Sequence, residues 1–176
     1  QRPLELGADL VVHSATKYLA GHSDVVSGAV VCSTEAQAED LAWWANCLGV
    51  TGGAFDCYLA LRGLRTLHAR MAVHESNAAQ IVTLLTDHPA VTAVHHASLA
   101  SHPGHELAAR QQRLFGGIVT FELGGGLPAA QACMDGPRLF CPAESLGGTE
   151  SLVSHPGTMT HASMPPDVQL AAGITP

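Results

Sequence analysis

Ala8-Asp9-Leu10-Val11-Val12-His13-Ser14-Ala15-Thr16-Lys17 is the stretch on which the reading of this chain turns. Residues 8–13 have the aliphatic make-up of a short buried strand. Two hydroxyl residues and a lysine follow at once. Gly21-His22-Ser23-Asp24 then predicts a turn, and residues 25–31 a second strand. The lysine is singular, because the chain has seven Arg and one Lys, Lys17. An amine can lose its proton and attack a carbonyl, whereas a guanidinium stays charged and is a poor nucleophile.

Outward from this stretch, Ser33 or Thr34 is placed to cap a helix through about Cys47, with Glu35 and Glu39 near its start. Gly49-Val50-Thr51-Gly52-Gly53 breaks the pattern. One long helix is expected over 54–85, with Gly63 inside it and Asp87-His88-Pro89 ending it. Strands are expected at 91–95, 117–123 and 138–141, and helices at 106–114 and 127–134. Residues 168–172 read as the start of a helix cut off by the end of the chain. Alternating strands and helices imply an α/β or α+β architecture. Gly124-Gly125-Gly126 reads as a loop without the G-x-x-x-x-G-K pattern of a phosphate loop.

The chain's 176 residues suffice for one domain or parts of two, and 47% are hydrophobic, so it buries a core. Net charge is -7, and no basic stripe points to nucleic acid. No apolar run is long enough to span a bilayer. The five cysteines form no C-x-x-C pair, which fits reduced thiols of a cytoplasmic enzyme better than disulfides or zinc. His22, His95, His96, His102, His105, His155 and His161 match no metal-site spacing and are read as surface, capping or core residues. Trp43-Trp44 is read as packing or subunit contact, Arg62 and Arg65 as ion-pair partners, and Asp24 as structural. Gln1-Arg2-Pro3 is neither an initiator Met nor a signal peptide, so the expected start lies within a longer polypeptide.

A strand ending in Ser14, Thr16 and Lys17 could hold a phosphorylated aldehyde. The hydroxyls would donate to phosphate oxygens, and the amine would form an imine and later serve as a base. On an extended segment Ser14 and Thr16 would share a face. The tetrad alone is too short to be specific and reads more readily as an exposed Lys after a strand with an ordinary Ser/Thr turn.

The wider pattern adds specificity. His13-Ser14-Ala15-Thr16-Lys17-Tyr18-Leu19, followed by Gly21-His22-Ser23-Asp24-Val25-Val26, resembles the cofactor-lysine signature of the Cys/Met metabolism PLP-dependent family. Gly49-Val50-Thr51-Gly52-Gly53 running into Leu61-Arg62-Gly63-Leu64-Arg65-Thr66-Leu67 resembles it too. So do Gly104-His105-Glu106 with Gln111-Gln112, and Ser145-Leu146-Gly147-Gly148-Thr149-Glu150-Ser151-Leu152, closed by Met159-Thr160-His161-Ala162. Within the family, Leu41-Ala42-Trp43-Trp44-Ala45-Asn46 and Ala108-Ala109-Arg110-Gln111-Gln112 are similar to the bacterial cystathionine γ-synthase branch. Ala20, Ser27 and Asp135-Gly136-Pro137 depart from the family pattern without touching the lysine.

The resemblance implies an α/β fold of the aspartate-aminotransferase-like PLP-transferase type (fold type I). Residues 1–66 would end the large PLP-binding domain, and residues 67–176 would form most of an α+β C-terminal domain. It implies pyridoxal 5'-phosphate as cofactor, amino-acid substrates, and a cytoplasmic homotetramer. Lys17 matches the lysine that forms the imine and moves protons between substrate carbons. Ser14 and Thr16 match hydroxyls that contact the cofactor phosphate, and Ser145 and Leu146 the segment that contacts the substrate carboxylate. Thr160 matches a threonine that fixes the active-site wall. Glu144 stands where γ-synthases and γ-lyases carry an acid for the distal substrate ammonium.

The implied reaction is γ-replacement on O-succinyl- or O-acetylhomoserine by cysteine. The alternatives are a cystathionine γ-lyase, an O-acylhomoserine sulfhydrylase, or a non-catalytic remnant. In the family a phosphate-binding loop, a ring-stacking Tyr and an Asp on the ring nitrogen precede the lysine strand, and a carboxylate-binding Arg follows the last segment. The 176 residues alone are therefore expected to be inactive.

Overall fold

The computed structural model describes residues 1–175. A single 3-10 turn, Pro3–Leu6, leads through Gly7 to strand β1, Leu10–Ser14. β1 pairs antiparallel with β2, Gly28–Cys32, in the register Leu10↔Cys32 to Ser14↔Gly28. Between them lies a wide helical turn, Ala15–Leu19, which the sequence pattern did not announce. The expected strand at 25–31 starts later, at Gly28, and Val25 is buried but unpaired.

Helix α1, Glu35–Leu48, begins as its cap foretells. The Thr34 hydroxyl accepts from Gln37 N, and the Gln37 side chain returns to Thr34 N. Gly49, at φ 69, ends it in the left-handed conformation.

The expected single helix over 54–85 is two helices. They are α2, Ala54–Leu64, and α3, Leu67–Thr86. Arg65 keeps helical dihedrals, but Thr66, at φ -109 and ψ 1, does not, and the break falls where α2 packs closely. Gly63 lies against the Ala20 carbonyl, where any Cβ would overlap backbone, and the Thr66 hydroxyl turns back to Gly63 O at 3.1 Å.

β3, Val91–His95, pairs antiparallel with β4, Thr120–Leu123, and α4, His105–Gln111, lies between them in sequence. α5, Gly126–Asp135, precedes β5, Phe140–Pro142, which pairs in parallel with β6, Ser151–Val153. β6 has no counterpart in the sequence reading. The last helix, α6, Pro166–Ala171, is a correction, since it closes rather than being cut off. Gly173 at φ 79 and the bond from Ile174 N to Gln169 O cap its carbonyl end.

Among the described residues the strands form three sheets of two strands each. The buried apolar side chains among the described residues are Ala15, Ala20 and Val25 near the lysine, Ala78 and Val82 on α3, and Ala108 on α4, with His96 the one buried polar side chain. No helix among them is long and apolar enough to cross a membrane.

Candidate active site

Lys17 sits inside the turn that follows β1, and its backbone departs from helical geometry at φ -92 and ψ -125. Three bonds pin the preceding residue to Ser27, just before β2. Thr16 N donates to Ser27 O at 3.2 Å, and Ser27 N donates to Thr16 Oγ1 at 3.0 Å. The Thr16 hydroxyl donates to Ser27 O at 3.3 Å. Thr16 therefore lies in the turn rather than on an extended segment with Ser14, and its hydroxyl is turned onto its own chain. Ser14, the last residue of β1, is exposed, and its side chain makes no capping bond to the turn.

A distant segment closes over this turn. Gly147, at φ 81, is buried against the backbone of Lys17 and Tyr18, with no room for a Cβ. Gly148 lies equally close to the Ser23 hydroxyl, which donates to Glu150 Oε2 at 3.0 Å. Glu150's own backbone N–H, and then the Ser23 hydroxyl, hold this carboxyl below the usual carboxylate range. With the segment so fixed, Lys17 Nζ donates to Ser145 Oγ at 3.3 Å across 128 residues of sequence.

Lys17, Glu144, Ser145, Leu146 and Thr160 line one open cavity of about 880 Å³. Ser14 and Thr16 are not part of that lining. Glu144, Ser145 and Leu146 are exposed, and the Thr160 hydroxyl lies 2.8 Å from His161 Nδ1.

Tyr18 and His74 line the cavity too, their rings edge to face at 5.5 Å. Burial pushes the Tyr18 hydroxyl's pKa up, and burial followed by the Arg70 guanidinium pulls the His74 imidazole's down.

Sequence reasoning missed His74, Gly147, Glu150 and Arg70. Gly147 and Glu150 lie inside a quoted motif, but Arg70 had no signal, because it serves backbone carbonyls. Arg62 and Arg65 are exposed and enter no ion pair among the described residues, contrary to the sequence reading. No group of three or more metal-capable side chains occurs among those residues.

Pyridoxal phosphate suits this donor set. It needs a lysine at an open, roomy cavity, and Lys17 occupies one. It needs hydroxyl donors for its phosphate. Ser145 carries one in the cavity wall beside Lys17, whereas Ser14 and Thr16 adjoin Lys17 in sequence but lie outside the lining.

Residues 1–176 match the family described as Cys/Met metabolism PLP-dependent enzyme. The chain is 55% identical over 175 residues to cystathionine γ-synthase of Escherichia coli K12, covering 99% of this chain and 45% of that protein. It is 45% identical to cystathionine γ-lyase of Dictyostelium discoideum, over 99% of this chain and 45% of that one. Its fold superimposes with a TM-score of 0.94 on the crystal structure of cystathionine γ-synthase from Xanthomonas oryzae pv. oryzae in complex with cystathionine. That match is at 56% identity and covers 99% of this chain and 45% of that chain. The chain thus spans a little under half the length of the relatives it matches, and over its whole extent it belongs to the Cys/Met metabolism PLP-dependent enzyme family.

Proposed function

We propose that the complete polypeptide carrying this chain joins cysteine to the γ-carbon of an O-acylated homoserine, with loss of the acyloxy group, as a cystathionine γ-synthase. One observation carries the reading. The chain's single lysine lines a roomy cavity, and its Nζ is held by a hydroxyl, that of Ser145, delivered from the far end of the sequence.

Bound pyridoxal phosphate supplies an electron-withdrawing ring that lets the substrate carbon next to nitrogen release a proton. Lys17, when its amine is free, accepts that proton at Nζ and hands it on. Ser145 accepts a hydrogen bond from Nζ and keeps its own proton for a substrate carboxylate oxygen. Glu144, beside it, offers a carboxylate to the ammonium of the incoming cysteine. Leu146 and Thr160 furnish the wall, and Ser14 and Thr16 hold the phosphate.

A cystathionine γ-lyase is the second reading, favoured by the Dictyostelium relative and equally served by Glu144. A division near residue 66 into two domains is supported by the break between α2 and α3. The five free cysteines support a reducing, cytoplasmic setting, and a homo-oligomer such as a tetramer is the matching assembly.

The test is an assay of the complete polypeptide with pyridoxal phosphate. O-succinylhomoserine or O-acetylhomoserine plus cysteine is set against cystathionine alone. Cystathionine should form from the first mixture, and Lys17→Ala should cut the rate at least about 10³-fold. Turnover of cystathionine alone would establish the lyase reading instead, and full activity in Lys17→Ala would remove Lys17 from the mechanism.

A further inference from the structure

We propose that Arg70 is a positioning residue for Lys17, acting through the carbonyls of the two residues that follow it. Arg70 lies in the first turn of α3, and its guanidinium reaches back across the break between α2 and α3. Nη1 donates to Tyr18 O at 2.9 Å, and Nη2 donates to Gly63 O at 2.8 Å and more weakly to Leu19 O at 3.5 Å. Nε donates to Thr66 Oγ1 at 3.1 Å, and Thr66 is itself bonded to Gly63 O. One rigid fork thus ties the end of α2 to the end of the lysine turn.

The carbonyls at the end of a helical turn lack partners within it. Here Ala20 N closes on Ala15 O and Gly21 N on Lys17 O, while the Tyr18 and Leu19 carbonyls point out to Arg70. Charged donors on such carbonyls make stronger bonds than neutral ones. The surroundings are cut to admit the fork. Gly21, at φ 72, faces the guanidinium, where any Cβ would collide, and Gly63 lets α2 approach to backbone contact with Ala20.

Lys17 is the residue at which the turn departs from helical geometry, at ψ -125, and it is held from both sides. Thr16 pinned to Ser27 grips it from one side. Gly147 against Tyr18 N, and Arg70 on Tyr18 O, grip the following residue on the other. Without Arg70 the turn can relax toward regular helix, which rotates the Lys17–Tyr18 peptide and carries Nζ away from Ser145. The consequence for catalysis rests on the function proposed above. The consequence for the turn does not.

The experiment uses the complete polypeptide with Arg70→Ala, Arg70→Lys and, as a surface control, Arg65→Ala. Amide hydrogen exchange is read without cofactor, followed by the affinity for pyridoxal phosphate from its absorbance, then kcat and KM. In Arg70→Ala the Ala20 and Gly21 amides should exchange at least about tenfold faster, with α1 unchanged. Cofactor binding should weaken by about tenfold or more, and kcat should fall by about a hundredfold with KM within about threefold. Added guanidinium ion should restore part of the kcat. Arg70→Lys keeps a cation without the fork and should show the same losses at smaller size, so it decides the matter if Arg70→Ala does not fold. Wild-type exchange and kcat in Arg70→Lys, or a lower melting temperature as the only change in Arg70→Ala, would overturn the proposal. If Lys17→Ala leaves cofactor capture unchanged, the functional reading fails while the exchange measurement still decides whether Arg70 holds the turn.

Discussion

His74 shows how closely the residues behind Lys17 share one electrostatic setting. Its ring packs edge to face on Tyr18, half-buried, with the Arg70 guanidinium near by. Burial first, and Arg70 second, lower its pKa from the ordinary 6.5. The unfolded chain therefore takes up this proton at a higher pH than the folded one. The stability tied to neutral His74 is complete above about pH 6.5 and is lost as the pH falls through the folded value. Arg70→Gln should raise the His74 pKa while leaving it below the ordinary value, because burial remains. Following the His74 ring proton by NMR across the titration checks this, and an unmoved pKa would show that Arg70 contributes nothing there. At this scale the sequence was legible where residue type itself carried chemistry. Lys17 stood out as the one lysine, whereas Arg70 looked like any other arginine, because its partners are three backbone carbonyls and one neighbouring hydroxyl.

The lysine turn is an element made by its neighbours. Its narrowest point is Gly63, where an added Cβ would meet the carbonyl of Ala20 and the oxygen of Leu19, both backbone atoms that cannot swing aside. Gly63→Ala should therefore destabilise the complete polypeptide by about 3 kcal/mol, as overpacking does where backbone must move. Gly49→Ala is the comparison. Its Cβ would meet nothing within 4 Å, but φ is 69, so the cost should be the left-handed strain alone, about 1 kcal/mol. Denaturant titrations of the two variants give the ordering, and equal effects would show that α2 can withdraw from the turn at little cost. The same packing explains what the sequence hid. The Thr34 cap and the strand at 91–95 are written in local residue types. The split of 54–85 into α2 and α3, the turn around Lys17 and the three-residue β6 are imposed by contacts far apart in the chain.

At the scale of the whole molecule the surface is too large for the mass. The exposed area is 11804 Å², whereas a folded monomer of 18.2 kDa exposes roughly 8,100 Å². Much of the excess is apolar. Trp43 and Trp44 on α1 stand 58% and 54% exposed, with Leu48, Val50, Phe55, Tyr58 and Leu61 of the same region also uncovered. Apolar exposure on that scale marks a surface meant to be covered. Two covers are available, namely further polypeptide of the kind found in the relatives, of which this chain spans a little under half, or a second copy. They differ in consequence. Trp43→Ser combined with Trp44→Ser should shift the complete polypeptide to a smaller species in sedimentation velocity if α1 meets a second copy. It should lower stability without changing the species if α1 is covered within one polypeptide. We expect the first outcome. α1 follows β2 directly and carries no buried residue, so its apolar side chains contribute little to the core around the lysine turn and remain free for a partner. The doubly substituted protein should accordingly keep the Lys17–Ser145 arrangement while losing its assembly, and retained cofactor capture in the smaller species would separate the two.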